Sequence, residues 1–498
     1  MDAITQQVKQ TKRPFVLISV MLAMFMGAVE ATIVATAMPA IAADLGGFSS
    51  YSWVFSSYLL MNAVTVLIYG KLADIFGRKP VMTFGILVFL LGSVLCGFAE
   101  SMTFLIVARF IQGFGAGAIL PIATTIVGDI YTKEERAQIQ GYLASVWGIS
   151  AISGPAIGGL LVEFVTWRFV FWVNIPLGIL SLLGIWFFLH EHIDKKERKI
   201  DYKGSILLTV SLSVIMYVLV EGGVRFEWVS LPVLGLFTFS FLLLFIFYFH
   251  EKRIQEPMVP FTLWKEKSIL IANVVSLTTG VILMGLTSFI PTFVQGVMGY
   301  SPIIAGFTLT TMSIGWPIAS TVAGRLLLKI GYRVTALSGG VSLVIGTTIL
   351  VTLHSHSSPI MVAVGSFFVG VGMGLTTTSF IVSIQSTVNW EQRGIATASN
   401  VFMRNLGTTI GAALLGGILN SKIASYIHNS SVRGSENYTV DSTNLLLDVE
   451  KRSDLPQSIV EMLQEGLANG LHVVYIVVFS FALLSFVLLF LFPRDKRV

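Results

Sequence analysis

A chain of 498 residues in which 54% are hydrophobic and only 12% charged departs from soluble domains, where roughly 25% of residues are charged. With a mean hydropathy of +0.81 and half the usual charge it lacks the solvated side chains to cover a globule, so most of its surface must face lipid. The single cysteine, Cys96, excludes a disulfide framework or cysteine-rich metal site, and the net charge of +5 is spread in short clusters between apolar runs, a topology pattern and not a nucleic-acid stripe.

Apolar runs of about 20 residues, long enough as helices to cross a bilayer, recur fourteen times. They cover 15–38, 52–72, 81–99, 104–128, 138–162, 168–189, 204–222, 230–249, 269–293, 302–324, 334–353, 359–385, 397–421 and 471–492. The first is too long and too polar at its far end for a cleaved signal peptide. The fold class is therefore an all-α membrane protein with 14 transmembrane helices.

Basic residues in short loops are retained on the cytoplasmic side, which tests the count. Of the 32 lysines and arginines, 24 fall in segments on the side of the termini, and two, Arg168 and Arg225, in short loops on the other. Both termini are expected in the cytoplasm. Arg109 and Arg404 lie inside spans. The long segment 422–470 is exempt by length; it reads as an inert outer loop, with 456–470 able to form a short amphipathic surface helix.

Spans one to six repeat as spans nine to fourteen. Gly70 to Lys79 matches Gly324 to Arg333, and Gly113, Gly115 and Gly117 recur as Gly370, Gly372 and Gly374. Gly154-Pro155-Ala156-Ile157-Gly158 has a weaker echo in Gly407 to Gly411. Each glycine set alone means close helix packing; their shared order means duplication. The expected domains are an N-terminal six-helix bundle, 1–190, two inserted transmembrane helices with linkers, 191–268, and a C-terminal six-helix bundle, 269–498, carrying the outer loop 422–470.

These motifs resemble those of the major facilitator superfamily, in particular its fourteen-span drug:proton antiporter branch. Gly70 to Lys79 resembles the family's loop motif between the second and third helices. Arg109 to Gly113 is similar to its fourth-helix motif, and Trp167 to Gly178 to the entry of its sixth helix. Glu30 to Pro39 resembles the branch's first-helix motif, with Glu where Asp is usual. Gly148 to Gly159 resembles the fifth-helix motif that marks antiporters, which assigns Gly154, Pro155, Gly158 and Gly159 to an antiporter helix. The resemblance also implies that Asp74, Arg78 and Asp129 form a cytoplasmic gate; Asp74 and Arg78, four residues apart, are placed to pair on one helical face.

Ionisable groups inside spans are costly and are functional candidates by default. Glu30 and Arg109 lie at depths of about 12 and 8 Å at 1.5 Å per residue, close enough to pair inside a bundle. Glu30 is the candidate proton carrier or cation recogniser and Arg109 its tuning partner; the competing reading is a structural buried pair. Arg404 is a candidate for the cavity mouth, and Asn62, Gln112, Phe25 and Met26 are candidate cavity residues, each equally explicable by helix packing.

The expected function is a proton-coupled antiporter exporting amphipathic or lipophilic, cationic drugs and toxic compounds by alternating access, in a multi-pass bacterial inner or plasma membrane. A dedicated exporter of one metabolite, lipid or siderophore is the alternative. No enzyme constellation is visible at membrane depth. No cofactor, metal or nucleic-acid partner is expected, since the proton gradient is the energy source and no phosphate-binding loop occurs. The expected partners are small amphipathic substrates, protons and the lipid bilayer, with the chain monomeric.

Overall fold

The computed structural model describes residues 11–493 except 132, 192–200, 223–224, 255–256, 258, 260, 390–392, 431, 433–434, 448–451 and 453–454. Among the described residues fourteen helices are long and apolar enough to cross a membrane. In hydrocarbon every backbone N–H and C=O must be satisfied within the segment, and the helix does this for an apolar run. The first bundle holds α1 (Arg13–Leu45), α2 (Tyr51–Phe76), α3 (Arg78–Gly97), α4 (Met102–Ile130), α5 (Lys133–Phe164) and α6 (Asn174–Phe188). The inserted pair is α7 (Tyr202–Glu221) and α8 (Leu231–Arg253). The second bundle holds α9 (Lys267–Thr292), α10 (Pro302–Leu327), α11 (Lys329–Val351), α12 (Pro359–Thr387), α13 (Arg393–His428) and α14 (Gln457–Leu489). With an even number of spans both ends of the chain lie on one face, the terminal face; the other is the distal face.

The repeat read from the sequence is present in the backbone. The chain breaks between α2 and α3 at Gly77, with φ +94°, and at the equivalent Gly331 between α10 and α11, with φ +82°. Both values lie in the region that favours glycine. This break corrects one expectation: Asp74 and Arg78 sit on different helices, not on one helical face, and the side chain of Asp74 lies outside the described residues. The span glycines repeat contact for contact: Gly113 packs on the backbone of Tyr58 and Gly370 on that of Met312, while Gly115 meets the Gly85 carbonyl and Gly372 that of Gly339. Added methyl groups would enter those backbones, so glycine is what lets α4 and α12 lie against their neighbours.

The bundles meet mainly along two helix pairs, α5 with α10 and α2 with α13, and α1 also packs on α9. The inserted pair covers the second of these: α7 packs on both α2 and α13, and the Cα of Gly417 lies against the Leu219 carbonyl. On the outside of α8, Phe241 and Phe245 are both 61% exposed, as a lipid-facing surface requires.

Apolar packing across the bundles is concentrated at the distal face. One core there combines Ile33, Met38, Phe48 and Tyr51 with Phe289, Phe293 and Leu467. Towards the terminal face one core lies within the first bundle around Met24, Ile86 and Ile122 and another within the second around Ile271, Phe380 and Phe492, while a third joins Leu60 and Val64 of α2 to Phe402 and Met403 of α13 beside α7. Polar contacts reinforce the distal closure. Tyr51 Oη lies 2.8 Å from Thr292 Oγ1 and donates to the Ser288 carbonyl at 3.1 Å; Asn420 Nδ2 donates to the Ser49 carbonyl at 2.6 Å.

Segment 422–470 differs from its expected form. α13 continues through His428, and 457–470 is the start of α14, not a separate surface helix, because Gly466 and Gly470 let α14 approach Tyr426 and Leu419 of α13. The connection between them is packed, not inert. Val440 and Leu446 are buried in the distal core, and Asp441 Oδ1 accepts the Ser49 N–H at 2.8 Å.

Candidate functional site

Glu30 lies midway along α1 with no exposed surface, and Arg109 on α4 is 1% exposed. Arg109 Nη1 donates to Glu30 Oε1. The same nitrogen donates to Gln112 Oε1 at 2.6 Å, and Arg109 Nε donates to the Val54 carbonyl at 3.2 Å. The guanidinium carbon stands 4.1 Å from the centroid of the Tyr58 ring and 5.9 Å from that of Phe171. On the other side of the carboxylate, Asn174 Nδ2 donates to Glu30 Oε2 at 2.6 Å. Gln112 Nε2 passes the network on to Ser93 Oγ at 2.8 Å.

Residues from α1, α2, α3, α4 and the start of α6 thus converge on one pair. Desolvating two charges is expensive unless geometry and extra hydrogen bonds compensate, and here both charges have several partners. The arrangement has one chemical property of note. If Glu30 takes a proton, Arg109 keeps an amide oxygen, a backbone carbonyl and an aromatic face, so the pair can open without leaving a bare guanidinium.

The antiporter-helix residues link this pair to the seam between bundles. Gly154 and Gly158 on α5 face Thr32 and Ile33, two and three residues beyond Glu30 on α1. A methyl on Gly159 would sit 3.0 Å from the Ile303 Cα of α10, and a methyl on Gly306 of α10 would meet the Pro155 carbonyl. One short stretch of α5 therefore touches the carboxylate's helix on one side and the second bundle on the other.

At the terminal face Arg78 Nε is 2.9 Å from Asp129 Oδ2 and 3.8 Å from Glu191 Oε1. Glu191 also accepts the backbone N–H groups of Arg78 and Lys79 at 2.8 and 3.0 Å, placing a negative charge on the N-terminus of α3, where the helix dipole favours it. These partners tie α3, α4 and the end of α6 together within one bundle.

The remaining sequence candidates separate. Gln112 is fully buried and occupied by Arg109, so it does not line a cavity. Met26 is likewise 0% exposed within the first bundle's core, because the same helix face that carries it packs inward. Phe25 and Asn62 are half-buried. Arg404 is half-buried on α13, its guanidinium carbon 5.9 Å from the Trp316 ring centroid on α10. Sequence reasoning assigned no role to Asn174, Ser93 and Glu191. Asn174 stands in the sixth-helix stretch already singled out, but a lone amide at a helix start gives no sign that it meets a carboxylate 144 positions away.

Comparison with known proteins agrees with this architecture. The chain is 32% identical to multidrug resistance protein 3 of Bacillus subtilis (strain 168) over 478 residues, 95% of this chain and 93% of that one. It is also 32% identical to the multidrug transporter protein MdtP of the same organism, covering 91% of this chain and 84% of that one. In fold it resembles the inward-facing, unoccupied crystal structure of a bacterial homologue of the human lysosomal transporter Spinster, with a TM-score of 0.69 at 15% identity over 97% of this chain and 99% of that one. These likenesses and the two-bundle fold define a multi-pass membrane transporter, not an enzyme. The family model described as Major Facilitator Superfamily matches residues 20–412, and the chain belongs to that family.

Proposed function

We propose that this transporter is a proton-coupled exporter of amphipathic, lipophilic compounds, toxic ones included, working by alternating access in the bacterial plasma membrane with both termini in the cytoplasm. The observation that carries the reading is the Glu30–Arg109 pair. Glu30 is the one carboxylate at mid-membrane depth among the described residues, and it is held so that protonation leaves its partner satisfied. The excess of basic residues on the terminal face supports the orientation. On that orientation the closed distal face is the outer one.

Proton binding at Glu30 weakens its hold on Arg109 and frees α1 to move. Because α1 packs on Gly154 and Gly158, and α5 packs on α10 through Gly159, a shift of α1 reaches the seam that must open for outward release. The inward proton gradient supplies about 1.4 kcal/mol per pH unit and about 2.3 kcal/mol per charge per 100 mV. The names of the two Bacillus relatives support drug-like cargo. A cation meets Glu30 only after the pair has opened, since Arg109 and Asn174 occupy both carboxylate oxygens.

The test is reconstitution in liposomes with an imposed pH gradient and a fluorescent lipophilic probe. Uphill export by wild type, lost in Glu30→Gln while downhill exchange persists, is the expected result. Equal uphill transport by Glu30→Gln would overturn the assignment of the proton to Glu30.

A further inference from the structure

Arg404 differs from Arg109 in having no ion-pair or hydrogen-bond partner among the described residues. Among the described residues no carboxylate lies within 4.0 Å of it and no side chain or carbonyl accepts from it, whereas Arg109 has Glu30, Gln112, the Val54 carbonyl and the Tyr58 and Phe171 rings. The residues flanking it on α13 are committed to α9. Asn400 donates to Asn273 Oδ1 at 3.1 Å and to Ser276 Oγ at 2.8 Å, and Gly407 packs on the Leu277 backbone. The Arg404 side chain instead reaches towards Trp316 of α10, where it remains half-buried.

A guanidinium inside a span is expensive and is retained where it has work to do. Its five N–H donors form a planar fork that fits carboxylate, sulfonate or phosphate oxygens two at a time. Trp316 beside it offers a flat apolar ring to the hydrophobic part of the same molecule. The charge balance points the same way. Among the described residues Glu30 is neutralised by Arg109, so Arg404 leaves the mid-membrane region with one positive charge.

We infer that Arg404 and Trp316 form a subsite for the anionic group of an amphipathic cargo, an aromatic carboxylate, sulfonate or phosphate. This reverses the expectation of a cationic cargo, which rested on Glu30 as an accessible carboxylate. It rests on the exporter reading for its role in transport, but not for binding. Export of a monovalent anion against one proton carries two charges across the membrane, so transport is driven by the membrane potential at equal pH. Export of a monovalent cation against one proton is electroneutral and is not.

Two probes with a common skeleton separate the charge from the apolar contact: anilinonaphthalene sulfonate, an anion, and phenylnaphthylamine, its neutral counterpart. Binding is read by fluorescence on the purified full chain in nanodiscs of uncharged lipid, with empty nanodiscs as the blank. Wild type is expected to favour the sulfonate, and Arg404→Gln to lose about tenfold or more in sulfonate affinity, the weight of a charge-assisted hydrogen bond. Phenylnaphthylamine binding should stay within about twofold, and Arg404→Lys should recover part of the loss. Equal wild-type affinity for the two probes, or an unchanged ratio in a monodisperse Arg404→Gln protein, overturns the proposal. If Arg404→Gln does not fold, the wild-type ratio and Arg404→Lys decide: no preference for the sulfonate, or none of it weakened by Lys, overturns it. Transport in liposomes then separates the two readings. Sulfonate bound through Arg404 but no probe moved under any gradient defeats the exporter and leaves the subsite standing. Neutral and cationic probes exported, with the sulfonate neither bound nor moved, defeats the subsite and leaves the exporter standing.

Discussion

Asn174, at the first position of α6, donates to Glu30 Oε2 at 2.6 Å, on the opposite side of the carboxylate from Arg109. The carboxylate is thus clamped between a cation and an amide from helices that lie 65 residues apart in sequence at those positions. Asn174→Ala removes a hydrogen bond to a charged, fully buried group. It should cost about 1.5–3 kcal/mol, seen as a lowered unfolding midpoint in detergent. Asn174→Gln, which keeps the donor on a longer arm, should cost less. Equal stability of Asn174→Ala and wild type would show that the bond contributes nothing.

Truncating one member of the pair itself should cost more. Arg109→Met leaves Glu30 buried without its counter-charge, and loss of one partner of a buried pair costs about 3–5 kcal/mol. The double variant Glu30→Gln, Arg109→Met has no uncompensated charge and should regain much of that stability. Additive losses in the double-mutant cycle would argue against direct coupling.

The seam at the distal face depends on close backbone approach. Gly306→Val inserts a branched side chain where even a methyl would meet the Pro155 carbonyl, so α5 and α10 must separate there. Spin labels at exposed Phe164 and Tyr300, placed on a Cys96→Ala background, should report a longer distance in Gly306→Val than in the parent. An unchanged distance would place the strain within one helix instead.

Tyr51 reaches across the same face to Thr292 and Ser288. Tyr51→Phe keeps the ring among Phe48, Phe55 and Phe289 and removes only the hydroxyl. The expected loss is about 0.5–1.5 kcal/mol, with hydrogen exchange rising at the distal ends of α2 and α9 and unchanged at their terminal ends. Uniform exchange along both helices would mean the hydroxyl does not hold the distal face shut.

Asp201, just before α7, gives a pH-dependent prediction. Burial pushes its carboxyl up, but the Gly204 N–H, 2.9 Å from Oδ1, the His250 ring at 2.7 Å and the adjoining Glu251 together hold it below the usual carboxylate value. A carboxyl depressed in the folded state contributes stability that is present above the unfolded value, about 3.9. That contribution is lost as pH falls through the lower folded value. Asp201→Asn should therefore weaken the protein at neutral pH and flatten its loss of stability below about pH 4. Parallel pH curves for variant and parent would remove Asp201 from the acid response.

Much of the architecture was legible from local pattern. Fourteen apolar runs gave fourteen spans, because each crosses the bilayer as a self-satisfied helix whatever its neighbours do. Gly77 and Gly331, matched by the repeat, both proved to be backbone breaks with positive φ. The Glu30–Arg109 pairing was reachable from depth alone, since two rare charges at similar depth in one bundle have few other partners. Segment 422–470 departs from the inert-loop expectation because its polar composition suggests solvent exposure, while Val440 and Leu446 anchor the connection in the distal core.

The sequence by itself determined the lipid-facing character, the number of helices, the duplication and the presence of Glu30, Arg109 and Arg404 at membrane depth. These follow from composition and spacing, which act within a single segment. Only the tertiary structure decided what each charge meets. Glu30 and Arg109 are enclosed by Asn174, Gln112 and Tyr58, while Arg404 has no acceptor among the described residues, because partners for a buried charge come from helices far apart in the chain. Which face is closed was decided there too: Tyr51, Thr292 and Leu446 acquire that role only when two bundles and a packed connection meet at one end of the molecule.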